Sequence, residues 1–145
     1  MTFTAQLLTG LAEHLDTHGV ARWRPTTAYL ASETAIVLGG LTPAPDRQIA
    51  LTPYLEHDHA SIDDSLVAVQ MRLRGTPGSL TSCTDLADAV FDLLHGATNL
   101  LLGGITVTQV LRKSTAPLGV DENDRHEWSE NYHLTLARPG EHRTD

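Results

Sequence analysis

The chain has 145 residues, 41% of them hydrophobic and 19% charged, which is too apolar for a disordered tail and long enough to bury roughly 68–70% of the surface the unfolded chain exposes. Ten Lys+Arg against eighteen Asp+Glu leave a formal net charge of -8, which repels a phosphate backbone and argues against a sequence-reading DNA binder. The single cysteine, Cys83, cannot close an internal disulfide, so the fold needs no oxidising compartment.

Met1 to Val20 carries Glu13, His14, Asp16 and His18 among its leucines and has no basic leader segment, which speaks against a signal peptide or a membrane span there. One globular domain over residues 1–145 is expected, its last few residues forming a flexible tail. Thr4 to His18 places Leu7, Leu8, Leu11 and Leu15 on one stripe, the spacing of an amphipathic helix stopped by Gly19. Val20 to Pro45 reads as loop with one short strand over Ala35–Leu38, ending in the turn-rich Gly39-Gly40 and Pro43-Ala44-Pro45-Asp46.

Gln48–Leu55 reads as a strand, and Leu66–Arg74 as another because Val67, Val69, Met71 and Leu73 alternate with Ala68, Gln70, Arg72 and Arg74. The connection between them is acidic and holds Glu56, His57, Asp58, His59, Asp63 and Asp64. Ser82-Cys83-Thr84-Asp85 matches a helix N-cap, followed by Leu86, Ala89, Val90, Leu93 and Leu94 at helical spacing and closed by His95-Gly96. Asp85, Asp88 and Asp92 fall on the solvated face of that helix.

Past Gly103-Gly104, the alternation of Ile105, Val107, Gln109 and Leu111 predicts a strand, and that of Trp128, Glu130, Tyr132, Leu134 and Leu136 predicts its partner. Lys113 to Asp124 should project between them as a loop or hairpin arm. This order predicts an α+β domain, a mostly antiparallel β-sheet with long hairpins packed against two α-helices.

The chemistry-bearing residues do not assemble a recognisable site. His57 and His59 with Glu56, Asp58, Asp63 and Asp64 could bind a transition metal, but no distant His or Cys completes a ligand set. Asp121-Glu122-Asn123-Asp124 begins like an EF-hand loop, yet Arg125 and His126 stand where an oxygen ligand and a glycine are required. Nucleotide-binding, zinc-protease and nucleophile-elbow motifs are absent. The residues therefore give no catalytic, metal or cofactor-binding assignment, and no cofactor is expected.

Three stretches together resemble one family: Ile36-Val37-Leu38-Gly39 running into Pro45-Asp46-Arg47 and the strand to Tyr54, Asp85-Leu86-Ala87-Asp88-Ala89-Val90-Phe91, and Pro117 to Glu127 with its Leu-Gly-Val-Asp-Glu-Asn-Asp-Arg-His-Glu core. They are similar to the tail-terminator or minor capsid proteins of tailed bacteriophages, siphophages of actinobacteria in particular. The resemblance implies a non-enzymatic virion protein made in the host bacterial cytoplasm. It would form a homo-oligomeric ring, usually a hexamer, that stops tail-tube growth. Its partners would be the tail-tube protein and the head connector or completion protein, with DNA only passing through the channel, no sequence-specific binding and no membrane.

Within such a ring Asp121, Asn123 and Arg125 are the expected inter-subunit contacts, the Arg125 guanidinium gripping a carboxylate within its loop or across to a neighbour. Glu56, Asp58, Asp63 and Asp64 are the expected channel-lining acids, with Asp121, Glu122 and Asp124 behind them. A head-completion or connector protein of the neck is the near alternative. A small metal-dependent hydrolase using the His57 and His59 loop is the distant one.

Overall fold

The structure, a computed structural model, describes residues 2–58 and 64–137. Helix α1 spans Phe3–Thr17 and strand β1 Ala35–Leu38; β2 (Gln48–Asp58) and β3 (Asp64–Pro77) precede helix α2 (Leu80–Leu94), and β4 (Thr98–Leu102), β5 (Ile105–Val120) and β6 (Arg125–Ala137) complete the chain. The six strands form one sheet in the order β1-β2-β3-β6-β5-β4. All pairings are antiparallel except β1 with β2, so the α+β class read from the sequence holds.

Both helices cover one face of the sheet. Helix α1 contributes Leu7, Leu8, Leu11 and Leu15, the stripe its spacing predicts, and α2 contributes Cys83, Leu86, Val90 and Leu94. They meet Val67, Val69, Met71 and Leu73 of β3 and Tyr132, Leu134 and Leu136 of β6 in a single core. Burial pushes the Cys83 thiol up to about 11, with Glu127 and Glu130 adding to the shift, which leaves it an inert core residue. Asp85, Asp88 and Asp92 lie exposed on the outer side of α2, as expected.

Three boundaries differ from the sequence reading. Helix α2 starts a turn earlier: Ser79, not Ser82, is its N-cap, and the Ser79 hydroxyl accepts the Ser82 amide at 3.1 Å. Strands β2 and β3 run on to Asp58 and back from Asp64, so both described ends of the acidic connection, residues 56–58 and 64–65, are strand at the backbone level. The Lys113–Asp124 arm is a hairpin end, β5 continuing to Val120 and leaving only Asp121–Asp124 as the turn.

The alternation along β5 also breaks. Its register against β6 shifts between Val107 and Gln109, between Arg112 and Ser114, and between Pro117 and Gly119. Each shift inserts one residue into β5 and turns the following side chains to the opposite face. Hence Val110 is buried while Gln109, in phase with Ile105 and Val107 by sequence, is exposed.

Helix α1 crosses the tight β4–β5 turn with backbone against backbone. A Cβ on Gly10 would lie 2.1 Å from the Gly103 nitrogen, and one on Gly103, whose φ is +57°, would lie 2.2 Å from the Gln6 carbonyl oxygen. Gly10→Ala gains about 1 kcal/mol of helix propensity but forces the helix off the turn, and overpacking of this kind costs about 1–3 kcal/mol. The clash is with backbone, which cannot rotate away, so the variant is expected to be less stable than the parent. A denaturant titration with an unchanged or raised midpoint would show that the crossing is not tight.

Candidate functional site

The parallel pairing of β1 with β2 forces the chain to return along the sheet through residues 39–47 without a helix to carry it. This return segment lies over one end of the helix-free face, where its carbonyls would be unsatisfied without donors. The sheet supplies them. Buried Arg74 donates Nε to the Asp46 carbonyl at 2.8 Å and Nη2 to the carbonyls of Thr42 at 2.7 Å and Pro45 at 2.9 Å.

Buried Gln48 donates Nε2 to the Thr42 and Pro45 carbonyls at 3.0 and 2.9 Å, and its Oε1 accepts the Thr42 amide at 3.0 Å. Arg125 donates Nη1 to the Pro43 carbonyl at 2.8 Å and to Asp46 Oδ1 at 3.1 Å. The Ala44–Pro45 peptide within the clamped segment is cis.

The same Arg125 closes the β5–β6 turn. Its Nε donates to Asp121 Oδ2 at 2.9 Å, while Asp121 Oδ1 accepts the amides of Asn123 and Arg125, each at 2.9 Å. Burial pushes the Asp121 carboxyl up, but the hydrogen bonds from Arg125 and Asn123 outweigh it and hold the group below its ordinary value. Burial likewise lowers Arg125, and Asp121 and Asp46 more than restore it. Arg74 has no such compensation: desolvation and repulsion by Arg125 lower it despite Asp121, Glu127 and Asp46 nearby.

The expected contact residues therefore come together at the hairpin tip but in unequal states. Arg125 is 5% exposed, its guanidinium committed to Asp121, Asp46 and Pro43 of its own chain. Asp121 is half-buried, and Asn123, Glu122 and Asp124 are exposed. Among the expected channel acids, Asp63 lies outside the described residues. The strands place the backbone of Glu56, Asp58 and Asp64 on the β2–β3 hairpin, and their side chains lie outside the described residues too. The same holds for the His57 side chain and for His59, so the imagined metal loop is outside the description. Among the described residues no three His, Cys, Asp or Glu side chains gather as metal ligands, and no helix is long and apolar enough to cross a membrane.

A second polar cluster sits under α2. Glu130 is 1% exposed and accepts from Arg112 at 3.2 Å, Thr115 at 2.7 Å and the Tyr132 hydroxyl at 3.3 Å. Trp128 donates Nε1 to the Thr115 hydroxyl at 2.5 Å, and the Arg112 guanidinium lies 4.1 Å from the centre of the Phe91 ring. Thr84, Ala87 and Asp88 of α2 complete a cleft of about 200 Å³ beside this cluster. Sequence reasoning assigned the cluster no role. The available signal was Glu130 itself, a charge in the inward phase of an otherwise apolar strand, which requires buried partners.

The clamp generates a stability prediction. Arg125→Ala strands the Pro43 carbonyl and removes the partner of Asp121, and breaking a largely buried charged contact costs about 3–5 kcal/mol; discounting for Asp46, whose side chain is 48% exposed, about 2–4 kcal/mol is expected. The Asp121 part depends on pH with a definite sign. A carboxyl held below its unfolded value stabilises the fold above that value and loses the contribution as pH falls through the folded one. Asp121→Asn should therefore lower stability near neutrality and flatten its decline below about pH 4; urea titrations from pH 3 to 7 that run parallel for variant and parent would contradict the clamp.

With the geometry in place, the chain can be set beside known proteins. The family described as bacteriophage tail terminator protein matches residues 14–138. No curated protein sequence matches the chain. A chain in the solved virion of a native gene transfer agent particle superposes with a TM-score of 0.68 at 15% identity, covering 92% of this chain and 96% of that one, a likeness of fold. The match over most of the chain, spanning both the clamp and the final hairpin, shows that this protein belongs to the bacteriophage tail terminator family, structural proteins of the phage virion.

Proposed function

We propose that the protein forms a homo-oligomeric ring at the head-proximal end of the phage tail tube, where it ends tube growth and joins the tube to the head connector. The observation that carries this reading is the family match over residues 14–138. A hexamer is the expected ring, with the tail-tube protein on one side, a connector or completion protein on the other, and no catalysis. The subunit offers different surfaces to its two neighbours, as a head-to-tail ring needs, and its projecting β5–β6 hairpin is fixed in direction by buried polar contacts. Asp121 and Asn123, at the tip of that hairpin, are proposed to face a neighbouring subunit while Arg125 holds the tip in shape.

DNA passes through such a ring without being read. Glu56, Asp58, Asp63 and Asp64 are proposed to face the channel, because acidic walls leave phosphates hydrated and mobile whereas basic walls hold them through counterion release. Phage lacking this protein should accumulate tail tubes of uncontrolled length unjoined to heads, and complementation should restore normal particles. Tubes of normal length in its absence would refute tube termination. Lysine substitutions at Asp58, Asp63 and Asp64 should slow DNA ejection most at low salt, and ejection at the parental rate across salt concentrations would remove the acidic-channel assignment.

A further inference from the structure

Resting on the ring reading, we propose that neighbouring subunits join by strand pairing, the free edge of β5 over Lys113–Val120 taking the free edge of β2 over Thr52–Asp58 from a second copy. Among the described residues, both outer edges of the central four strands β2-β3-β6-β5 are only half covered. Strand β1 pairs with β2 from Gln48 to Leu51 and stops. Strand β4 pairs with β5 from Ile105 to Gln109, after which Gly96 and Ala97 engage Val110 and His95 Nδ1 accepts the Arg112 amide. Beyond Arg112, among the described residues, nothing bonds the outer edge of β5.

The two open stretches lie at opposite ends of the sheet. Ala116 is level with Ser129, Arg72 and Ala50 across the register, next to the part of β2 that β1 covers. Val107 is level with Leu136, Ser65 and Asp58, where β4 covers β5 and β2 is open. Each subunit thus carries a covered and an open half on both sides in diagonal arrangement.

Directions and dimensions suit a closed wall. Successive antiparallel pairings from β2 to β5 leave β5 running opposite to β2, so copies in the same orientation meet as an antiparallel pair. Bringing Ala116 beside the middle of Thr52–Asp58 shifts one copy along the strands by about five residues, about 17 Å, over four strands about 19 Å wide. That slope tilts the strands about 40° from the ring axis, within the range of roughly 35–45° found where sheets close on themselves. An unshifted ring would instead set β1 against β5, but the outer edge of β1 is already taken at its start by Arg22, whose amide donates to the Thr34 carbonyl and whose carbonyl accepts the Ile36 amide.

The surface chemistry agrees with an edge meant to be covered by one partner. Leu118 and Val120, 45% and 53% exposed, sit on the open stretch. Pro117 and the residues inserted after Arg112 and Pro117 make that edge irregular, which discourages pairing with flat strand edges of other chains.

Hydrogen–deuterium exchange on the free subunit and on the assembled ring tests the pairing. Amides within both Lys113–Val120 and Thr52–Asp58 are expected to slow at least about tenfold on assembly. A ring in which either stretch stays unprotected overturns the pairing while leaving the ring intact; absence of any ring by native mass spectrometry and in virions overturns both. The double variant L118D/V120D should keep the Tm of the free subunit and lower the assembled fraction at least tenfold, and normal assembly would count against this edge.

Discussion

The return segment between β1 and β2 is the constraint on which the rest of the hairpin end depends. A parallel pair normally gets its crossover from a helix that satisfies its own backbone; here residues 39–47 make the crossing with their carbonyls turned onto the sheet. A buried carbonyl left without a donor costs about 1–3 kcal/mol, and the segment turns several toward one place. Arginine answers this better than any other side chain because one planar guanidinium carries five donors in a fixed fork. Arg74 divides its donors among three carbonyls, and Arg125 adds a fourth while holding two carboxylates. The two cations are tolerated side by side because Asp121, Asp46 and Glu127 surround them.

From that clamp the order spreads along two paths. Arg125 ties the return segment to the β5–β6 turn, and the turn reaches the start of α2 through the Gly78 amide, which donates to the Asp124 carbonyl at 2.8 Å. Farther along the hairpin, Glu130 ties β5 to β6 beneath α2 through Arg112 and Thr115. Between these anchors β5 has little apolar cover: residues from Lys113 to Val120 are all exposed. The outer hairpin is therefore held by hydrogen bonds and ion pairs, each contributing only about 0.5–1.5 kcal/mol net, or about 1.5–3 where a charge takes part. Such contacts fix direction more than they add stability, because any misplacement leaves a buried polar atom unpaired.

What could be read in the sequence follows from which forces were local. The α1 stripe and the alternation of β3 and β6 were legible because one apolar face packs on one core, and their burial matches. The start of α2 was not, since Ser79 and Ser82 stand three residues apart and either hydroxyl could cap; the choice fell to Ser79, next to the tertiary Gly78–Asp124 contact. The phase of β5 was not legible either, because the extra residue after Val107 carries no glycine or proline to mark it. Arg74 falls in the polar phase of its strand, and its burial, like that of Gln48, comes from a segment folding over the far face, which no period within a strand can report. Arg125 was legible as a carboxylate-gripping residue at the hairpin tip, and the Asp121 contact is of that kind; its reach to Pro43 and Asp46, about eighty residues away, was not.

The distribution of charge adds a last constraint on the free subunit. Its helix-free face carries Thr52, Gln70, Ser129 and Thr135, with Arg72 and Glu127 neutralising each other at 3.2 Å, while Asp85, Asp88 and Asp92 lie on α2 and Glu122 and Asp124 at the hairpin tip. Among the described side chains, the exposed acids thus gather on the helix side and at the tip. Like-charged tips repel at low salt and are screened within roughly 8 Å at physiological ionic strength, so charge alone cannot keep long strand edges apart. Backbone shape has to contribute. The insertions after Arg112 and Pro117, with Pro117 itself, interrupt β5 where it is uncovered, and the Arg125 and Glu130 networks hold the hairpin at its tip and beneath α2. A subunit built this way can expose half of a strand edge and still stay separate, because irregular edges pair poorly with anything that does not follow their curvature.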